Sequence, residues 1–443
     1  MIHRREVIVG GLALAAAPSA TAQPATPFVR VAGRQFRRGG ARYPVIGANL
    51  WYAAWLGADR PYGNRARLRR ELDRLEALDV NNVRILGAAE RSPLKGSVSP
   101  TFRGPGADYD PGLLGGLDWA MAEIARRGMT AVIYLNNFWE WSGGMAAYLT
   151  YVNGGRFVEA VDPTRPWTDF PDFVAGFYGD EQAVALGDHY IRTLVTRTNS
   201  VTGRRYVDDP AIMAWQLANE PRPAGTQAVY DRTYPAFLDW VRSTARLIKS
   251  LDRNHLVSTG SEGTIGCLQK EACTVDIHAT PDIDYVTMHI WPRNFGWLDR
   301  NDLPGSYDAG AAKTRAYIDA HVAIARRLDK PLVIEEFGFP RDGDAYAPNS
   351  PTTLKDRYYR LVLGAVAEGL RAGGPLSGAN FWAWNGEGRA EHADYRWRDG
   401  DTAYLGDPAH EPQGFYGVFD TDRTTQAVVR DWARAMRVAA ARG

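Results

Sequence analysis

The chain has 443 residues, 45% of them hydrophobic, with 52 lysines and arginines set against 51 aspartates and glutamates. That near-neutral balance excludes a general nucleic-acid or polyanion binder, which would need a basic excess. Fourteen tryptophans and 21 tyrosines fit a protein whose ligand offers flat apolar faces to aromatic rings.

Residues 1–22 read as an export leader. Arg4 and Arg5 form a twin-arginine head, residues 7–17 are apolar and small, and Ala20-Thr21-Ala22 supplies a cleavage site before Gln23. The apolar run is shorter than the about 20 residues a bilayer span needs, and no later run reaches that length. The expectation is a mature chain of residues 23–443, exported to the periplasm or extracellular space, free of the membrane after cleavage, and monomeric.

Residues 28–43 predict a β-hairpin turning at Gly39-Gly40 and covering a barrel floor. Strand-like apolar runs follow at Val45–Asn49, Val83–Leu86, Thr130–Leu135, Ile212–Leu217, Leu256–Gly260, Tyr285–His289, Leu332–Glu336 and Ala379–Trp382. Helical periodicity separates them. Leu68, Leu72, Leu75 and Leu78 mark one stripe, and Leu113, Leu114, Leu117, Met121 and Ile124 another, stopped by Gly128. Further helices are expected near 181–197, 234–251, 311–328, 354–371 and 424–440. Strand–helix alternation of this length predicts an α/β fold, a single (β/α)8 TIM barrel.

Two connections, 136–180 after the third strand and 383–423 after the eighth, are too long to be idle loops. Both are rich in aromatics, among them Trp139, Trp141 and Trp167 in the first and Trp384, Trp397 and Tyr404 in the second. Cys267 and Cys273 lie close in sequence, and in an exported protein they would close a small loop as a disulfide. Two cysteines do not make a structural zinc site, and there is no HExxH or clustered histidine spacing, so neither a metal nor a cofactor is expected.

The chemistry concentrates at two strand ends. Residues 211–221 (AIMAWQLANEP) run from an apolar strand into Asn219, Glu220 and Pro221; residues 331–338 (PLVIEEFG) repeat the design with Glu335 and Glu336. Buried strands do not end in unpartnered amides and carboxylates without a large cost. Carboxylates delivered by two strand ends of one barrel mouth are what glycoside hydrolysis uses. A non-catalytic carbohydrate-binding barrel would need neither.

Trp215–Pro221, Asn82-Val83-Arg84, Met288-His289 and Glu336-Phe337-Gly338 together resemble glycoside hydrolase family 5. The phrases NNFWEWSGG (136–144), WQLANEPR (215–222), FWAWNGEGR (381–389) and HEPQG (410–414) resemble its β-mannanase branch. The resemblance implies Glu220 as general acid/base and Glu336 as nucleophile of a retaining mechanism. It places Arg84 beside the nucleophile, Asn219 on the sugar 2-hydroxyl, His289 as a neutral group near both acids, Trp382 under the sugar and Arg222 on the leaving-group side. Trp51, Trp141 and Trp384 join this substrate-binding set as aromatics near the mouth. Many family members carry a tyrosine two residues after the histidine; here Trp291 stands there, with an N–H but no hydroxyl. Glu335 competes with Glu336, but if Leu332, Ile334 and Glu336 face inward, Glu335 faces the helices. The implied activity is endo-β-1,4-mannanase on mannan-type polysaccharide, with exo-acting β-mannosidase as the alternative and β-glucanase behind both.

Overall fold

The computed structural model describes residues 26–106 and 108–442; the expected leader, residues 1–22, lies outside them. Eight parallel strands form the centre: β1 Val45–Asn49, β2 Asn82–Leu86, β3 Thr130–Tyr134, β4 Ile212–Gln216, β5 Leu256–Ser258, β6 Val286–Ile290, β7 Leu332–Phe337 and β8 Leu376–Phe381. Their hydrogen-bonded order is β5-β4-β3-β2-β1-β8-β7-β6. The seam between β5 and β6 is stitched by individual bonds: Asp284 N–H to Val257 O at 2.8 Å, His289 N–H to Glu262 O at 3.2 Å, and Thr287 Oγ1 to Ser261 O at 2.9 Å. Each strand is followed by a helix: α1 Arg65–Ala77, α2 Pro111–Arg126, α3 Glu181–Val195, α4 Gln227–Leu251, α5 Glu271–Ala279, α6 Leu303–Leu328, α7 Thr353–Arg371 and α8 Arg423–Ala441. This is the (β/α)8 barrel.

Polar caps start several of these helices where the first N–H groups lack partners. Asn64 accepts from Arg67 N–H, Asp110 from Leu113 N–H just ahead of Pro111, and Asp180 from both Gln182 and Ala183 N–H. Helix α4 begins earlier than its periodicity indicated, because Pro235, which invites a start near residue 234, sits inside it. Helix α5 had no helical signal at all. Cys273, Val275 and Ile277 alternate as in a strand.

The N-terminal segment differs from a simple hairpin. It is a three-stranded antiparallel sheet, Val29–Ala32, Gln35–Arg38 and Ala41–Arg42, because a second turn forms at Gly33 (φ +58°) in addition to Gly39-Gly40. It does cover the barrel floor. Val29 and Phe36 pack on Val45, Val132, Leu256, Tyr285 and Val333 in an apolar cluster separate from the main core. Above that plug the barrel interior turns polar, and the active-site mouth lies at the opposite, C-terminal end of the strands. Among the described residues, no helix is long and apolar enough to cross a membrane.

Candidate active site

Beyond β4 the chain is held by its neighbours on both sides. Asn219 N–H donates to Asn136 O and Phe138 N–H returns to Asn219 O, each at 2.9 Å, while Glu220 N–H donates to Gly260 O at 2.9 Å. These bonds hold Glu220 at φ +51°, a left-handed conformation that costs a non-glycine residue about 1–3 kcal/mol and persists only where its surroundings enforce it. Close approach also requires glycine at 260, where a Cβ would stand 1.9 Å from the Ala218 carbonyl oxygen.

The second carboxylate arrives by a different device from the one expected. On β7, Val333 packs into the floor cluster, and Glu335 accepts from Gln216 Nε2 at 2.5 Å and Tyr285 Oη at 3.0 Å inside the barrel. The expected facing is therefore inverted: Val333 and Glu335 point inward, and Leu332 and Ile334 point to the helices. A register irregularity against β6, between Ile334 and Glu336, breaks the alternation and sets Glu336 opposite His289. Glu336 reaches the mouth because of that bulge.

Arg84 on β2 ties the site together. Fully buried, it donates to Glu336 Oε1 at 2.6 Å, Asn219 Oδ1 at 2.7 Å, Gln216 Oε1 at 2.9 Å and Asn49 Oδ1 at 3.0 Å, and its guanidinium lies 4.4 Å from the Tyr134 ring centroid. It backs the nucleophile candidate from beneath and does not line the cleft. His289, also fully buried, is held neutral: burial, then the charge of Arg84, drives its pKa well below the ordinary value. Its Nδ1 is hydrogen-bonded to Glu220 Oε1 at 2.7 Å and lies 3.3 Å from Glu336 Oε2.

Burial raises the pKa of both carboxyls; Arg222 and the Trp139 indole pull Glu220 back, and Arg84 pulls Glu336 back against the Glu220 charge. The two titrate as a pair. With one proton between them, the direct Arg84 contact favours the negative charge on Glu336 and the proton on Glu220. One oxygen of each carboxylate and one imidazole nitrogen all lie within 4.8 Å of one another. That spacing suits double displacement, for which carboxyls stand about 5–5.5 Å apart. The same trio has the donor types of a cation site, but the guanidinium already on Glu336 would oppose a metal there.

The mouth opens into a cleft of about 990 Å³. Glu220, Glu336, Asn219, Arg222, Trp141, Trp291 and Trp382 all line it. Trp291 packs edge-on to Trp382, with ring centroids 6.0 Å apart. Arg222 forms two bonds to Glu262, at 2.6 and 2.7 Å, and sits against the rings of both Trp139 and Trp167. Burial pushes Glu262 up to about 7 despite that arginine.

Two expected platforms are elsewhere. Trp51 is buried among Trp55, Trp141 and Tyr404 and donates to Gly406 O at 3.0 Å. Trp384 is fully buried and donates to Glu71 Oε2 at 2.6 Å, behind the cleft. Both are core residues because each indole N–H has a partner away from the cleft. Conversely, Trp139, which the sequence marks only as one of several loop aromatics, donates to Glu220 Oε2 at 2.6 Å. A cluster of Glu140, His410 and Glu411, joined by a 3.0 Å contact of His410 Nδ1 with Glu140 Oε1, also lines the cleft. Cys267 and Cys273 are disulfide-bonded, with Cα atoms 5.9 Å apart.

The family model described as "GH family 5 beta-mannosidase-like" matches residues 26–441. Mannan endo-1,4-beta-mannosidase 1 of Arabidopsis thaliana is 29% identical over 373 residues, covering 81% of this chain and 82% of that protein. The fold is similar to that of the glycoside hydrolase family 5 mannosidase from Rhizomucor miehei, at a TM-score of 0.86 and 31% identity, covering 94% of this chain and 99% of that one. The endo-1,4-beta-mannanase from Rhizomucor miehei shares the fold at a TM-score of 0.67 and 22% identity, covering 93% of this chain and 99% of that one.

Proposed function

The chain belongs to glycoside hydrolase family 5, and from that premise we propose that it is a retaining β-mannosidase that removes mannose from the ends of β-1,4-mannan oligosaccharides. The observation that carries the reading is the asymmetric pair: Glu336 on Arg84 at 2.6 Å, and Glu220 without a direct cationic contact but with His289 and Trp139 on its two oxygens. Glu336 attacks the anomeric carbon while the bond to the leaving oxygen breaks and Glu220 delivers its proton to that oxygen. Glu220, now ionised, then takes a proton from water as that water displaces Glu336. Asn219, turned toward the pair by its bond from Arg84, is the group placed for the sugar 2-hydroxyl.

End-wise action is favoured over internal cleavage by three observations. Glu140, His410 and Glu411 line the cleft beside the catalytic pair as a polar wall, of a chemistry that suits the hydroxyls of a chain end. Trp51 and Trp384, whose exposure would have argued for a long open cleft, belong to the core. The Rhizomucor miehei neighbour of TM-score 0.86 is named a mannosidase. An endo-mannanase is the second reading, supported by the names of the curated relatives. Mannohexaose and cellohexaose digested side by side test both: mannose as the main early product, with mannan viscosity nearly unchanged, is expected. A fast viscosity fall with mixed oligosaccharides would establish the endo reading instead. We further propose that residues 1–22 direct export; a mature N-terminus other than Gln23, or retention in the cytoplasm, would overturn this.

A further inference from the structure

The cleft is far larger than one sugar requires, and much of it lies on the leaving-group side. From Arg222 it continues past Trp167 to Leu268, Gln269 and Trp297. We propose that the loop closed by the Cys267–Cys273 disulfide is the recognition element for the carbohydrate leaving group, with Trp167 as the opposing aromatic face. This rests on the mannoside-hydrolase reading above and names the part of the site that sets chain-length preference.

Two adjacent residues in that loop, Leu268 (φ +51°) and Gln269 (φ +60°), hold left-handed backbone conformations. Each disfavours a side chain with a Cβ by about 1–3 kcal/mol, and such strain is kept where the surroundings over-determine it. Here the surroundings are a covalent ring of few residues and a set of short backbone bonds, Gln269 N–H to Thr264 O at 2.6 Å, Leu268 N–H to Ile265 O at 3.1 Å and Lys270 N–H to Cys267 O at 3.0 Å. Removing the cross-link frees a loop whose backbone prefers to be elsewhere. The loop is also tied to the acid's surroundings. Ile265 N–H meets Tyr317 Oη, and Tyr317 Oη donates to the Glu262 carbonyl at 2.7 Å. The Glu262 side chain in turn holds Arg222.

Across the cleft, Trp167 is 55% exposed, a large apolar face left in solvent. The Arg222 guanidinium covers one face of the ring, 5.5 Å from its centroid, and leaves the other to a ligand. Such a face beside an arginine suits the C–H face of a pyranose, with the guanidinium and the Gln269 amide available to its hydroxyls. The recognised group is thus a second and third mannose unit, where an aryl leaving group would reach no further than the acid.

The test compares kcat/KM on mannotetraose and on an aryl β-mannoside for the wild type, the Cys267→Ser/Cys273→Ser double variant, Gln269→Gly and Trp167→Ala. Gln269→Gly deletes the amide while relieving the left-handed strain, so it folds whatever the double variant does. The ratio of mannotetraose to aryl-mannoside kcat/KM should fall roughly tenfold in each variant, mainly through KM, the size expected for one lost hydrogen bond or stack. An unchanged ratio in Gln269→Gly and Trp167→Ala, with both substrates falling together or neither falling, would overturn the proposal. A wild type that hydrolyses neither mannoside would overturn the parent reading itself, and is distinguishable because no variant is needed to see it.

Discussion

Glu335 and Glu336 are adjacent, both buried and both within the influence of Arg84, yet the geometry separates their roles. Glu335 is spent on Gln216 and Tyr285 below the cleft, whereas Glu336 meets Arg84, His289 and the cleft itself. Glu336→Ala should therefore lower kcat on every β-mannoside by roughly 10⁴-fold or more, since no covalent intermediate can form. Glu335→Gln, keeping its size, should cost far less; equal losses in the two variants would mean the bulge does not select the nucleophile. Glu220→Ala should spare aryl mannosides with good leaving groups, and azide should restore part of their turnover. The sign of the pH dependence follows. Glu220 is raised by burial and must be protonated, so activity is lost as pH climbs through its pKa; Glu336 must be ionised, so activity is lost as pH falls through the lower pKa of the pair. A rate flat from mildly acidic to strongly alkaline pH would exclude Glu220 as the proton donor. At this scale the sequence was informative wherever burial made a polar residue anomalous: Arg84 between Val83 and Ile85, and Asn219-Glu220 after an apolar strand. It could not distinguish Trp139 from Trp141, because both sit in one aromatic run and only the fold turns the first onto Glu220. Glu262 follows Ser261 in a polar stretch with no periodicity, and only Arg222, 40 residues earlier in the chain, reveals its use.

The loop from 383 to 423 shows why long connections were legible as important and illegible in form. Its organiser is Asp407, whose carboxylate accepts from the N–H groups of Gly414 at 2.9 Å and Tyr416 at 2.7 Å, and from Asn385 Nδ2 at 3.1 Å. Its near end is pinned to α1, where Glu71 receives Trp384 Nε1, the Glu387 N–H and Arg67. None of these partners is spaced regularly in sequence, so no pattern announces them. Removing residues 385–410 would break this frame, which makes deletion a poor probe of end-wise action. Point substitution is better: His410→Ala with Glu411→Ala should open the wall, raising the share of oligosaccharides among the products of mannohexaose. An unaltered product distribution with intact folding would show that the wall does not set the mode of cleavage. Trp384→Ala, by contrast, should act on stability. It removes a fully buried indole and leaves Glu71 short of a donor, costing about 3–5 kcal/mol, seen as a lower thermal midpoint. If instead it altered only KM for long substrates, its place in the core would be wrong.

Across the whole molecule, stability and chemistry are segregated along the barrel axis. The floor is apolar, plugged by Phe36 and Val29 against Val45, Val132, Leu256 and Val333; the middle layer is a hydrogen-bonded set around Arg84, Gln216 and Glu335; the mouth holds the reacting carboxylates. Eight strands could be read as short apolar runs, because barrel strands are buried on both faces, and most of the helices from their period, because each buries one stripe. The covering of the floor by the N-terminal hairpin was legible too, but its third strand was not, since the second turn depends on a positive φ at Gly33 that no apolar pattern marks. The layering predicts that the two ends can be perturbed independently. Phe36 is 1% exposed and packs edge-on to Tyr285 with ring centroids 5.4 Å apart. Truncating it to alanine should cost about 3–5 kcal/mol, which for a domain of this size lowers the thermal midpoint by roughly 4 °C. The Tyr285 hydroxyl, bonded to Glu335 on the far side of its ring, keeps its partner. Phe36→Ala should therefore hold kcat/KM on an aryl β-mannoside within about twofold at 25 °C while melting earlier by calorimetry. A parallel fall in activity well below the midpoint would mean that the Phe36–Tyr285–Glu335 column transmits floor packing to Arg84, and that the barrel's layers are mechanically one unit.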